Sequence, residues 1–186
     1  AHKRWGSGAE VRSRPDNTMH QAVPLSVPQV PVHWLHSAEW VAAAAAARGF
    51  RRVGLTGTQW LVESEVYPQK LNALGIEAVC PSPEERQQIS RIIMEELVRG
   101  IFKAEAVNCF QRVIGRLQLA GCDAVVLGCP EIPLLIDDAT SPLPTRDSTR
   151  LLARAAVQRA PRQRRPPTHI SARRPARPAA RARGRR

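Results

Sequence analysis

The apolar positions of this chain fall into short runs separated by stripes of helical period. Residues 52–56 (RVGLT) make a compact run that ends at Gly57-Thr58, and residues 124–127 (AVVL) make another that ends at Gly128-Cys129. Both read as strands buried in a sheet. Residues 76–80 (IEAVC) alternate and predict a third strand, and residues 32–35 predict a short one. Between these runs the period changes. Residues 37–48 are Ala-rich and helical, with Ser37 as N-cap and Gly49 as stop. Residues 61–74 place Leu61, Val62, Val66 and Leu71 on a helix stopped by Gly75, with Pro68 marking a break or kink. The next helix has the clearest start. Ser82 is its N-cap, Pro83 takes the first helical position and Glu85 completes a capping box. Ile89, Ile92, Ile93 and Leu97 form its apolar stripe before Gly100. Residues 104–119 set Val107, Phe110, Ile114 and Leu117 on one helical face, stopped by Gly121, and residues 147–159 predict a final helix. Residues 1–16 follow neither period and predict no element. Pro24, Pro28 and Pro31 bar a long helix from residues 17–36.

This order of elements predicts an α/β fold with a mostly parallel sheet flanked by helices. In such sheets ligands bind beyond the carboxyl ends of the strands. The turns Thr56-Gly57-Thr58 and Gly128-Cys129-Pro130-Glu131 both sit at such ends. No Gly-x-Gly-x-x-Gly or phosphate loop accompanies them, so nucleotide binding has no support.

Composition changes this picture in three places. The formal charge is +12, but residues 161–186 carry ten Arg and no acid, which leaves +2 for the rest. That Pro- and Arg-rich tail is expected to be disordered, and the folded part carries no basic surface that marks specific nucleic-acid binding. No apolar run approaches the roughly 20 residues of a membrane helix, and residues 1–16 lack a secretory core. The expectation is an unprocessed cytoplasmic protein with no membrane contact. The four cysteines, Cys80, Cys109, Cys122 and Cys129, show no CxxC and no His at zinc spacing. They read as free thiols, the first three as small buried hydrophobes, with no metal site.

Three stretches carry a family resemblance. Asn17-Thr18-Met19-His20 resembles an N-T-M-H or N-T-A-H motif, GLTGT at residues 54–58 resembles an L-L-G-T turn, and LGCPEIPLLI at residues 127–136 resembles a G-C-T-E-I motif. ERQQISRIIMEELVRGIF has the look of the same group, and PLPTRDST at residues 142–149 resembles its P-L-x-D-T-T pattern. In this order and spacing they resemble the aspartate/glutamate racemase superfamily, amino-acid racemase branch, from about residue 17 to 160. The resemblance implies two similar α/β lobes with a site between them, and cofactor-independent proton transfer at the α-carbon of a small amino acid. Carried across, Cys129 is one proton-transfer group, and Asp16 stands where the family usually has its other cysteine. Asn17, Thr18 and Thr58 hold the substrate carboxylate, and Glu131 lies near the ammonium or orients the second lobe. Taken without the resemblance, Cys129 is a buried thiol, Asn17 and Thr18 belong to a turn or cap, Thr58 caps a helix, and His20 is a satisfied histidine.

The chain departs from the family at Asp16, at Pro130 where the family has Thr, and in the short stretch before Asn17. The expected organisation is a disordered segment 1–16, a remnant of the first lobe at 17–50, a second lobe with a return helix at 51–160 and a disordered tail at 161–186, as in a truncated racemase. The family's frequent dimers make a homodimer the expected assembly. Two functions follow. One is a thiol-based racemase or epimerase of the aspartate/glutamate type. The other is an inactive or one-sided remnant that binds a small carboxylate or a partner subunit without inverting a substrate.

Overall fold

The computed structural model describes residues 11–22 and 33–159. Two parallel sheets organise it. β1 (Val11–Ser13) pairs in parallel with β2 (His33–Leu35). A four-stranded parallel sheet runs in the order β4-β3-β5-β6, with β3 at Arg52–Thr56, β4 at Glu77–Val79, β5 at Ala124–Leu127 and β6 at Thr145–Asp147. The helices are α1 (Ser37–Ala46), α2 (Gln59–Val62), α3 (Val66–Asn72), α4 (Pro83–Glu95), α5 (Ala104–Leu119) and α6 (Ser148–Arg159). The α/β fold with parallel sheets flanked by helices is the one the sequence predicts. No helix among the described residues is long and apolar enough to cross a membrane.

The alternation of side chains along β5 explains why both faces of the sheet are covered. Ala124 and Val126 face a core with Val53 and Leu55 of β3, built from α1, α2 and α3 through Val41, Leu61, Tyr67 and Leu71. Val125 and Leu127 face the opposite core, where Ile89 and Ile93 of α4 meet Phe110, Val113, Ile114 and Leu117 of α5. Gly54 in β3 lets α5 come close, since a Cβ there would lie 2.7 Å from Leu117 Cδ1. A smaller cluster, Leu35, Leu152 and Ala155, fastens α6 to the β1–β2 layer.

The local signals place most elements, and the exceptions have physical causes. The capping box of α4 forms in full, with the Glu85 N–H on the Ser82 hydroxyl and the Glu85 carboxylate on the Ser82 N–H. The predicted stops Gly49, Gly75, Gly100 and Gly121 all adopt positive φ, between 71° and 84°. Residues 61–74 do not form one helix. The break falls at Ser64-Glu65, three residues before Pro68, so that the proline sits in the first turn of α3, where no N–H is required. Ser37 is not the cap of α1. His36 holds that position without a side-chain cap, and the Ser37 hydroxyl donates elsewhere.

Residues 11–16 also differ from expectation. No element is predicted there, yet Val11–Ser13 is a strand in register with His33, Trp34 and Leu35. Residues 18–22, between Asn17 and the prolines, form a turn of 3-10 helix. The predicted disorder of residues 1–10 and 161–186 and the prolines at 24, 28 and 31 lie outside the described residues.

Candidate active site

The strands β3 and β5 lie side by side and end together, so the turns that follow them open into one space. Gly128 makes that closeness sterically feasible. Its N–H donates to the Thr56 carbonyl at 2.9 Å, and a Cβ on it would lie 2.6 Å from the same oxygen. Cys129, Pro130 and Glu131 then turn outward beside Thr58. The segment carrying Asp16, Asn17 and Thr18 crosses over them and closes a cleft of about 340 Å³, with Trp60, Ile93, Met94 and Val98 as its apolar wall. All six residues singled out in the sequence, Asp16, Asn17, Thr18, Thr58, Cys129 and Glu131, line this one cleft.

Asn17 holds that segment in place and is fully buried. Its amide nitrogen donates to the Gly128 carbonyl at 2.9 Å and the Ser148 hydroxyl at 2.9 Å, with a longer contact to the Pro15 carbonyl at 3.3 Å. Its amide oxygen accepts from Tyr67 Oη at 2.9 Å and from the Ser37 hydroxyl. Both ends of the amide are therefore occupied within the protein. The side chain pins its segment to the turn that follows β5. Thr18 is held through its backbone. Its N–H donates to Asp16 Oδ1 at 3.0 Å, which leaves its hydroxyl, 3.4 Å from that of Thr58, facing the cleft. The Met19 N–H reaches the same Asp16 oxygen at 3.4 Å, so Asp16 starts the 3-10 turn from an exposed position. Pro130 offers no N–H to the cleft.

Cys129 is partly buried, and its thiol donates to Glu131 Oε2 at 2.8 Å. Burial raises its pKa to about 12, helped by the Glu131 hydrogen bond and charge and, less strongly, by Asp16. The resting group is a thiol that keeps its proton beside a carboxylate able to accept one. Burial also raises the thiols of Cys80, Cys109 and Cys122, none of which lines the cleft. Cys80 is exposed rather than core, with its thiol 3.4 Å from the Val62 carbonyl.

His20 lies behind the same segment. Its ring is buried, its Nε2 is 3.0 Å from the Arg14 carbonyl, and its centroid is 4.3 Å from that of His36. A carbonyl partner makes Nε2 the protonated nitrogen. The Nδ1 atoms of both rings are buried without a partner among the described residues. Burial lowers the pKa of His20, and burial together with the His20 charge lowers that of His36 to about 4. Ser37, Tyr67 and Ser148 join Asn17 although no pattern in the sequence links them to it. Only Ser148 had a signal, inside PLPTRDST.

Comparison with known proteins agrees with this fold. The fold matches a candidate Asp/Glu racemase from Yersinia pestis with a TM-score of 0.77 and 32% identity, covering 82% of this chain and 67% of that one. An aspartate racemase homologue from Pyrococcus horikoshii matches with a TM-score of 0.73 and 29% identity over the same shares. The glutamate racemase of Thermus thermophilus is 32% identical over 119 residues, which is 62% of this chain and 42% of the enzyme. The Asp/Glu/hydantoin racemase family model matches residues 16–156, the span from Asp16 through Cys129 into α6, and the chain belongs to that family.

Proposed function

We propose that this chain performs cofactor-independent proton transfer at the α-carbon of a small amino acid of the aspartate/glutamate type, as a racemase or epimerase. The observation that carries the reading is the Cys129 thiol, protonated and hydrogen-bonded to Glu131, in a cleft that Asp16 also lines. In one direction, the Asp16 carboxylate takes the α-proton and the Cys129 thiol gives its own proton to the carbanion. The pair ends as Asp16 carboxylic acid and Cys129 thiolate. In the other direction the thiolate is the base. Glu131 draws the substrate ammonium toward Cys129, and that positive charge favours the thiolate that burial and Glu131 disfavour. The Thr18 and Thr58 hydroxyls are the donors left for the substrate carboxylate. With Asp16 in place of a second cysteine, the substrate meets a carboxylate and a thiol rather than two thiols.

Incubation with L- and D-aspartate and L- and D-glutamate in deuterated water, followed by NMR, tests this reading. The expected result is α-deuteration with inversion for at least one amino acid, abolished in Cys129→Ala. Exchange of a single enantiomer without inversion would establish the one-sided alternative. No exchange of any of the four would remove the racemase reading.

A further inference from the structure

A second cavity opens at the outer edge of β6, on the other side of β5 from the cleft. Leu127 contributes to this cavity, and the next residue, Gly128, to the cleft; the two share no residue. It measures about 520 Å³, larger than the cleft, and its lining combines Leu127, Ile136 and Leu151 with the four cations Arg48, Arg146, Arg150 and Arg154. Its charges do not balance. Arg150 pairs with Asp147 at 3.5 Å. No carboxylate among the described residues forms an ion pair with Arg48, Arg146 or Arg154.

The acids of the cavity are engaged by their own loop. Asp137 accepts from Ala139 and Thr140, and Asp138 from the N–H and hydroxyl of Thr145 at 2.6 and 2.8 Å. Arg48 and Arg146 lean on the same Phe50 ring, at 5.9 and 5.1 Å from its centroid. Two like charges share one ring, and the buried Nε of Arg146 has no hydrogen-bond partner among the described residues. Burial and the Arg48 charge both press on the Arg146 guanidinium, and Asp138 relieves it only in part. The rest of the chain has little to offer. Outside the described residues the sequence holds one acidic side chain, Glu10.

We propose that this cavity is a binding site for a small doubly charged oxyanion, held by Arg48, Arg146 and Arg154 and separate from the Cys129 cleft. A planar guanidinium fork matches carboxylate and phosphate oxygens two at a time. An anion between Arg48 and Arg146 would relieve their mutual repulsion and give the Arg146 Nε–H its missing acceptor. The lining is part apolar as well as cationic, so both dicarboxylates and phosphates belong to the class.

The test is titration of the full chain with succinate and with inorganic phosphate at constant ionic strength, following arginine Nε–H signals by NMR. The Arg146 signal is expected to shift and saturate with at least one anion. Tighter succinate binding would point to a dicarboxylate as the natural ligand, and tighter phosphate binding to a phosphate. Arg48 and Arg154 are exposed, so the double variant Arg48→Gln/Arg154→Gln keeps its fold and is expected to weaken binding about tenfold or more. Arg146→Lys keeps the charge, removes the fork and is expected to weaken it as well. Three results would overturn the proposal. These are no saturation with either anion, an affinity unchanged in the double variant, or binding lost in Thr58→Ala, which belongs to the cleft.

Discussion

The thiol of Cys129 and the amide of Asn17 solve different problems with the same buried setting. In the proposed reaction Cys129 needs a tunable proton, and the carboxylate two residues on is a part of its surroundings that a single substitution can change. Glu131→Gln removes a negative charge and a strong acceptor while keeping the shape. The Cys129 pKa is then expected to fall from about 12 toward the ordinary thiol range. Alkylation of the Cys129 peptide by iodoacetamide near pH 9, read by mass spectrometry, should run severalfold faster in the variant. An unchanged rate would mean that burial alone holds the proton. Asn17, by contrast, is a motif residue whose chemistry turns inward. Its place in the motif was legible, but its hydrogen-bond partners Ser37, Tyr67, Gly128 and Ser148 were not. These lie 20, 50, 111 and 131 residues away in sequence, and no local pattern reports such an approach.

At the scale of elements, the site depends on how closely β3 and β5 end. Gly128→Ala would drive a methyl group against the Thr56 carbonyl, a backbone atom held in the sheet, and against Leu61 Cδ2 at 2.7 Å. The strands must separate or Cys129 must move. The expected cost is about 1–3 kcal/mol in urea unfolding, together with loss of α-proton exchange. Full stability with full exchange would refute this view of the turn. The helices and the strands β3 and β5 were legible because periodicity, caps and glycine stops are local. β1 and β6 were not. β1 reads VRS and β6 reads TRD, three residues each with no apolar alternation. Their strand conformation comes from pairing, Val11 to His33 and Val125 to Thr145, which appears only once the chain has folded.

At the scale of the whole molecule, pH acts through the histidines behind the Asp16–Thr18 segment. His20 and His36 face each other, with Arg14, Asp16, Glu39 and Lys70 as the charges around them. Both pKa values are lowered on folding. The stability they lend is present above the ordinary value of about 6.5 and is lost as pH falls toward about 4. Urea midpoints are expected to drop across that window, and His36→Leu to flatten the drop. An equally steep fall in the variant would assign acid lability to other groups. The Asn17 clasp carries a kinetic consequence. The sheet core closes through β3–β4 and β3–β5 contacts spanning about 25 and 70 residues, whereas the clasp's bonds to Gly128 and Ser148 span 111 and 131. Longer loops cost more entropy to close, so the clasp is expected to form after the barrier to folding. Weakening it should then speed unfolding and leave the folding rate almost unchanged. A nearly folded molecule of this kind would have its core complete and its cleft unformed, so the cleft would be the last part to form and the first to be lost.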